Sequence, residues 1–315
     1  MDIMCVGEIV ADIVVRPVPN IDFTADSMRV EEISVKSGGD AMNTSIDLAR
    51  LGSRVAFVGK VGRDDFGNML MDNARAVGVN VDSMAYSDVS STSRVIALIK
   101  ENGERCFLHY VGTNDHFEYD DIDLSLLDQC RFLHIGGTFH LPKFDGAGAA
   151  ALLKLAKGKG LTTTMDVCWD HSGRWAEIIR PCFPYLDYFV PSINEAQHIA
   201  NTRDIREMAA YFHGNGVKTV VIKLGQEGCY CSTGDRAFRC GSYKVKAVDT
   251  TGAGDAFVSG MLSGLNAGFG IEDCIRMGSA VAAFVIQRVG ATDGTPDMAT
   301  LKAYMDNNDL EIIDE

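Results

Sequence analysis

A chain of 315 residues is long enough for two average domains or one large α/β domain, and 46% hydrophobic content supports a core without disulfides or metals. A formal charge of −14 at pH 7 argues against nucleic acid or an anionic membrane as partner. Nine cysteines, an odd number without paired metal spacing, read as the reduced thiols of a cytoplasmic protein.

The opening stretch, MDIMCVGEIVADIVV, predicts a buried strand and not a signal peptide, because a basic leader is missing and Asp2, Glu8 and Asp12 interrupt the apolar run. No stretch reaches the ~18 apolar residues of a membrane span. Along the chain, strands are predicted at 3–8, 55–61, 131–136, 162–166, 188–191 and 219–224. Helices are predicted at 41–51, 66–77, 146–157, 205–214, 254–267 and 271–288, with Gly52, Gly78 and Gly268 marking helix ends. Short apolar strands alternating with helices indicate a mostly parallel sheet covered on both faces. The alternation breaks at 13–36 and again at 94–111, where RVIALIK and RCFLHYV flank Asn102-Gly103, a hairpin signal. These two segments predict a small antiparallel sheet over a site, a second subunit, or both. No second-domain boundary is visible, so 1–315 reads as one domain with that lid.

Asp249-Thr250-Thr251-Gly252-Ala253-Gly254-Asp255 precedes a segment with helical spacing of Phe257, Met261, Leu262 and Leu265. Glycines at a helix entrance let backbone N–H groups converge where the helix dipole is positive, which suits a phosphate or a developing negative charge. An aspartate on the first turn can take a proton from a hydroxyl placed within ~3 Å. A plain turn with Asp255 as helix cap fits the same residues. The segment is neither a Rossmann turn nor a Walker A loop, since GAGDAF lacks the required glycine spacing and no Gly-Lys-Ser/Thr follows. His134 and His140 lack i,i+4 geometry and do not suggest a metal site.

The D-T-x-G-A-G-D run at 249–255 is paired with an N-terminal pattern, Gly38-Gly39-Asp40-Ala41-Met42-Asn43, followed by Leu51-Gly52 and VGKVGRDDFG at 58–67. With these two signatures the chain resembles the ribokinase, or PfkB-type, carbohydrate kinase family over nearly its whole length. The resemblance implies a ribokinase-like three-layer α/β sandwich with a mostly parallel central sheet and a small β-sheet lid. It implies transfer of the ATP γ-phosphate to a hydroxyl, with Mg²⁺. Asp255 matches the family's base, and the backbone N–H groups of Gly252, Ala253 and Gly254 match its anion hole. Asp12, Gly38, Gly39 and Asn43 match the sugar contacts, with His109 and Asp166 as further candidates. Lys223, Gly225, Gly228, Thr251, Ala283 and Gly290 are the nucleotide-side candidates. Glu195 is assigned to Mg²⁺ through water, and Asp249 with Thr251 to a monovalent cation, K⁺.

Two departures accompany the match. Ser192 stands where an N-x-x-E motif has Asn, with Glu195 at the Glu. Val111 stands where many members carry Arg, which points away from acidic or phosphorylated sugars. The expected function is phosphorylation of a neutral sugar or polyol, with a nucleoside kinase as alternative and a non-catalytic sugar-binding regulator as a third class. A homodimer through the lid is the expected assembly.

Overall fold

The computed structural model of the protein describes residues 1–19, 21, 24–101 and 104–315. The chain opens with β1 (Ile3–Gly7), β2 (Val10–Arg16), β3 (Glu32–Gly38), α1 (Asp40–Arg50), β4 (Val55–Val58), β5 (Lys60–Gly62) and α2 (Asp65–Ala76). Then follow β6 (Ala85–Ser87), β7 (Arg94–Ile99), β8 (Arg105–Tyr110), β9 (Phe132–Thr138), α3 (Ala147–Gly158), β10 (Thr162–Val167) and α4 (Ala176–Ile179). The last part comprises β11 (Tyr188–Phe189), α5 (Ile193–Ala200), α6 (Ile205–Gly214), β12 (Thr219–Lys223), β13 (Cys229–Ser232) and β14 (Ala237–Cys240). It closes with α7 (Ala253–Ala267), α8 (Ile271–Val285), α9 (Met298–Asn307) and β15 (Ile312–Asp314).

One large sheet runs β4-β1-β9-β10-β11-β12 in parallel and continues antiparallel through β13, β14 and β15. Its strands are buried on both faces, so alternate side chains enter opposite cores. In β1, Ile3 and Cys5 join Leu48 of α1, Phe257 of α7 and Val281 of α8. Met4 and Val6 point the other way, to Leu152 of α3 and Phe212 of α6. The three-layer sandwich follows directly from that alternation.

A second sheet of four strands, ordered β3-β2-β7-β8, stands apart from the first. β7 and β8 fall in the expected 94–111 segment, while β2 and β3 overrun the expected 13–36 segment, β2 beginning at Val10 and β3 ending at Gly38. The pairing of β2 with β7 is parallel, so the sheet is not wholly antiparallel. The Asn102-Gly103 turn itself lies outside the described residues. Cross-strand register puts Asp12, Val95 and His109 in one row on one face. The next row, Val35, Ile13, Ile96 and Leu108, belongs to the opposite face.

Several boundaries differ from the sequence expectation. The 55–61 strand is split at Gly59: β4 stays in the large sheet, while β5 leaves it to pair with β6. Helix α8 stops at Val285 instead of 288: the N–H groups of Gln287 and Arg288 turn to the i−3 carbonyls of Phe284 and Val285, and the Ile286 carbonyl beyond the helix accepts the N–H groups of Val248 and Asp249. The antiparallel end β13–β15 and helices α5 and α9 were not predicted as elements. No described helix is long and apolar enough to cross a membrane.

Phe189 of β11 is fully buried, with the Phe183 and Phe212 rings at centroid distances of 5.5 and 4.9 Å. Phe189→Ala is expected to cost about 3–5 kcal/mol of unfolding free energy, read by urea denaturation. A loss below about 1 kcal/mol would mean that this aromatic core closes over the gap.

Candidate active site

The carboxyl ends of β1, β9, β10 and β12 converge with the N-termini of α1 and α7, where ligands bind in open α/β sheets. At the centre, Asn43 Nδ2 donates to Asp255 Oδ2 at 2.7 Å. This bond joins the two signatures across 212 residues of sequence. Asn43, expected against the sugar, therefore orients the carboxylate on the first turn of α7. Gly252 is the N-cap of α7 with φ +74°, and a Cβ there would come within 2.3 Å of Ala291 O. Only glycine lets the 249–252 turn pack against the 290–293 loop so closely. The Ala253 N–H donates to Thr250 O at 3.3 Å, a long bond at a terminus whose first N–H groups have no intrahelical partner.

Lys223, the last residue of β12, is ion-paired with Asp166 at the end of β10, and the Asp166 side chain is 2% exposed. A Cβ on Gly254 would lie 3.3 Å from Lys223 Nζ, so the ammonium group sits beside the α7 terminus. Burial works against the charge on Lys223, but Asp166 and Glu195 outweigh it and hold its pKa above the usual value. Ligand oxygens of Asp40, Asp166 and Asp255 lie within 4.8 Å of one another. Burial pushes the Asp255 pKa up to about 6; Asn43 opposes the shift and Asp166 adds to it. Burial also raises Asp40 and Asp166, Asp40 with added repulsion from Asp255. Asp40 Oδ2 accepts the Gly137 N–H at 2.9 Å, while its buried Oδ1 has no partner.

On the lid side, Asp12 abuts Gly38, where a Cβ would fall 2.1 Å from Asp12 Oδ2. Gly39 turns the chain at φ +94° beneath the Glu8 carbonyl. Burial, then Glu8 and Asp255, push the Asp12 pKa up to about 7. His109 shares Asp12's row through Val95 and lines the adjoining cavity, on the cleft face of the lid. Lys36 and Arg105 bring the same lid face to the body: Lys36 Nζ meets Asp293 Oδ2 at 2.9 Å, and Arg105 Nη1 meets Thr251 Oγ1 at 3.4 Å.

On the other side, Gly225 and Gly228 form the turn after β12 with φ +61° and +89°. Asp249 Oδ1 accepts from Thr251 N at 3.0 Å and from Thr251 Oγ1 at 2.7 Å, and Oδ2 accepts from Gly290 N at 3.1 Å. Burial tends to raise the Asp249 pKa, but these bonds outweigh it and keep the group ionised. Ala283 is 4% exposed and belongs to the core between α8 and the sheet. Ser192 caps α5, its N–H donating to Glu195 Oε2 at 2.6 Å and its Oγ accepting the Glu195 N–H at 3.4 Å. Glu195 is raised by burial and lies near Lys223 and Asp166.

Glu8, Asp40 and Cys168 were given no site role from the sequence, and His140 was weighed only as a metal ligand. Asp40 and Glu8 had a signal, since each is a charge at the end of an otherwise buried segment. His140 Nδ1 lies 3.0 Å from Glu8 Oε1, and Cys168 Sγ lies 3.7 Å from Asp40 Oδ2. His134 is buried against Thr164 Oγ1 at 2.9 Å, and burial lowers its pKa to about 3, so it stays neutral.

The pfkB family carbohydrate kinase model matches residues 1–298. The chain belongs to the pfkB carbohydrate kinase family. An uncharacterized sugar kinase of Archaeoglobus fulgidus is 32% identical over 249 residues, covering 79% of this chain and 98% of that protein. A ribokinase structure from Thermotoga maritima superposes with a TM-score of 0.84 at 25% identity, covering 98% of this chain and all of that one. An E. coli protein named a ribokinase II, solved with ATP and Mg²⁺, has the same fold at TM-score 0.84 and 20% identity, covering 98% and 99% of the two chains. The kinase is accordingly a phosphotransferase with an alcohol acceptor, and a non-catalytic regulator is no longer the comparable reading.

Proposed function

We propose that this pfkB-family kinase transfers the γ-phosphoryl group of ATP to a hydroxyl, most simply a primary one, of a neutral sugar or polyol. The observation that carries the reading is the Asp255 carboxylate, fixed by Asn43 at the N-terminus of α7 and poised to ionise near neutrality. Asp255 takes the proton of the acceptor hydroxyl as its oxygen forms the new bond to the γ-phosphorus. The bond to the β,γ-bridging oxygen breaks and ADP leaves. The N–H groups of Gly252, Ala253 and Gly254, with the helix dipole, stabilise the charge spread over the equatorial oxygens. Lys223 adds a fixed positive charge beside Gly254.

On the acceptor side, Asp12 receives hydroxyl hydrogens while Gly38 and Gly39 permit close approach, with His109 at the lid edge. Asp166 orients Lys223 and thus acts on the phosphate side. Gly225, Gly228, Thr251 and Gly290 shape the nucleotide side. The residues present fit Mg²⁺: Asp40 and Asp166 offer hard oxygen donors in the carboxylate cluster with Asp255, Glu195 lies near Asp166, and one buried Asp40 oxygen lacks a partner. Glu195 would hold the ion through water, and when bound it neutralises charge on the β- and γ-phosphates. A nucleoside is the second acceptor class, favoured by Phe139 in the wall of the cavity beneath the lid. Trp169 does not support it, packing on Trp175 and His198 at 4.9 and 5.0 Å.

Asp255→Asn is expected to lower kcat by ~10²–10⁴-fold with KM for ATP little changed. Near-full turnover in that variant would remove Asp255 from the role of base. A base acts only when deprotonated, so kcat/KM for the acceptor should fall as pH drops through about 6. Asn43 stabilises the ionised form, so Asn43→Ala should move this acid limb upward by about one pH unit. An unmoved limb would show that the bond does not tune the titrating group.

The lid supports a homodimer, because one of its faces exposes apolar rows that a four-stranded sheet cannot cover alone, Ile33 at 64%, Leu108 at 52% and Val35 at 39%. Light scattering should give a dimer mass for the wild type and a monomer mass for Ile96→Lys, which places a charge mid-row. A wild type that is monomeric at every concentration refutes the assembly.

A further inference from the structure

The acceptor side of the cleft extends well beyond the groups assigned to the reacting hydroxyl. A chamber of about 720 Å³ runs from Glu8 and Val10 to Ile178 and Pro181. Asp12, Asn43 and Asp255 do not line it, whereas Val95 and His109, which share Asp12's row, do. It therefore adjoins the reacting end and receives whatever the acceptor carries at its far end.

The chamber's buried orphan atoms are mainly oxygens. Asn114 Oδ1 and Asp145 Oδ1 are buried without a partner. Their companion atoms are bonded: Asn114 Nδ2 donates to Ile9 O at 3.2 Å, and Asp145 Oδ2 accepts the N–H groups of Phe139 and Leu141 at 2.9 and 3.0 Å. Asn43 Oδ1 and Asp40 Oδ1 continue the pattern toward the reacting end. His140 Nε2 is an orphan nitrogen beside them, its Nδ1 meeting Glu8. Buried oxygens without donors call for a ligand that donates, and they repel a carboxylate or a phosphate.

The charge balance points the same way. Asp170 is satisfied by Ser172 and by the Trp175 N–H, and Glu177 faces Arg174 at 3.4 Å. Glu8 is paired with His140 at 3.0 Å and Asp115 is exposed to solvent, which leaves Asp145, whose pKa burial pushes up to about 7. Facing them are His140, whose charge burial opposes and Glu8 favours, and His109, which burial and His140 hold toward neutrality. His171 stacks on His140 with ring centroids 6.1 Å apart. Asp145 is therefore the acid of this wall that has a buried oxygen without a partner and no ion pair among the described residues.

We propose that the acceptor is an amino sugar, with its ammonium group at the end remote from the phosphorylated hydroxyl and bound by Asp145 and Glu8. This rests on the kinase reading of the cleft. The ammonium supplies the donors that Asp145 Oδ1 lacks and the charge that the chamber lacks. Asn114 Oδ1 takes a neighbouring hydroxyl.

The test compares ADP release by the wild-type enzyme on matched acceptors: D-fructose, 1-amino-1-deoxy-D-fructose and its N-acetyl form, and D-glucose, D-glucosamine and N-acetyl-D-glucosamine. The expected result is a kcat/KM at least ~10-fold higher for an amino sugar than for both its neutral relatives, the scale of one well-placed charge pair. Asp145→Asn and Glu8→Gln, which keep shape and remove charge, should each shrink that ratio. The wild-type comparison stands even where a variant fails to fold. Equal kcat/KM for amino sugar and parent, or preference for an N-acetyl form, a sugar acid or a nucleoside, overturns the amino-sugar assignment and leaves the kinase reading intact. No ADP release with any sugar, polyol or nucleoside overturns both.

Discussion

A buried ammonium group among carboxylates sets the geometry of this cleft. Lys223 reaches from the end of β12 to Asp166 at the end of β10, with Glu195 of α5 and Asp40 of α1 in its field. An uncompensated charge in such a place would be destabilising, so the elements that carry its partners must meet there. That requirement ties the sheet's carboxyl end to three helix N-termini, and at α7 Gly254 faces the ammonium, where a Cβ would lie 3.3 Å from Lys223 Nζ. Asp255 is thereby buried near two other carboxylates. The same crowding lifts its pKa toward the range where a base is useful.

Much of the architecture was legible because it rests on period and punctuation. Buried strands such as β1 and β9 appear as apolar runs, and helices such as α2 and α7 end at glycines of positive φ, Gly78 and Gly268. The lid was legible as an interruption of that rhythm. The antiparallel edge β13–β15 was not, since its strands are three or four residues long and take their identity from successive pairing, β13 on β12, β14 on β13 and β15 on β14. Helix α8 ends earlier than its pattern implies, its last turn tightening to i−3 bonds just before a distant segment docks on the Ile286 carbonyl.

The site was legible where residue type alone carries the chemistry, as in the 249–255 run. It was obscure where role depends on partner. Asn43 reads as a wall residue until its amide is seen on Asp255. Asp40 reads as a helix-start acid until its burial opposite Asp166 and Asp255 is known. Ser192, which departs from the family's Asn, has a plain structural use: its hydroxyl and N–H close a capping box with Glu195. That box also fixes the direction of the Glu195 carboxylate.

The lid's strands separate two kinds of information by parity. Residues of Asp12's row look into the cleft, and those of Ile13's row look away from it. Acceptor choice and surface association can thus change independently by substitution, each on its own set of alternate positions. Insertion of one residue in β2 would exchange the two sets at a stroke. This sheet should therefore tolerate wide variation in side chains and very little in strand length.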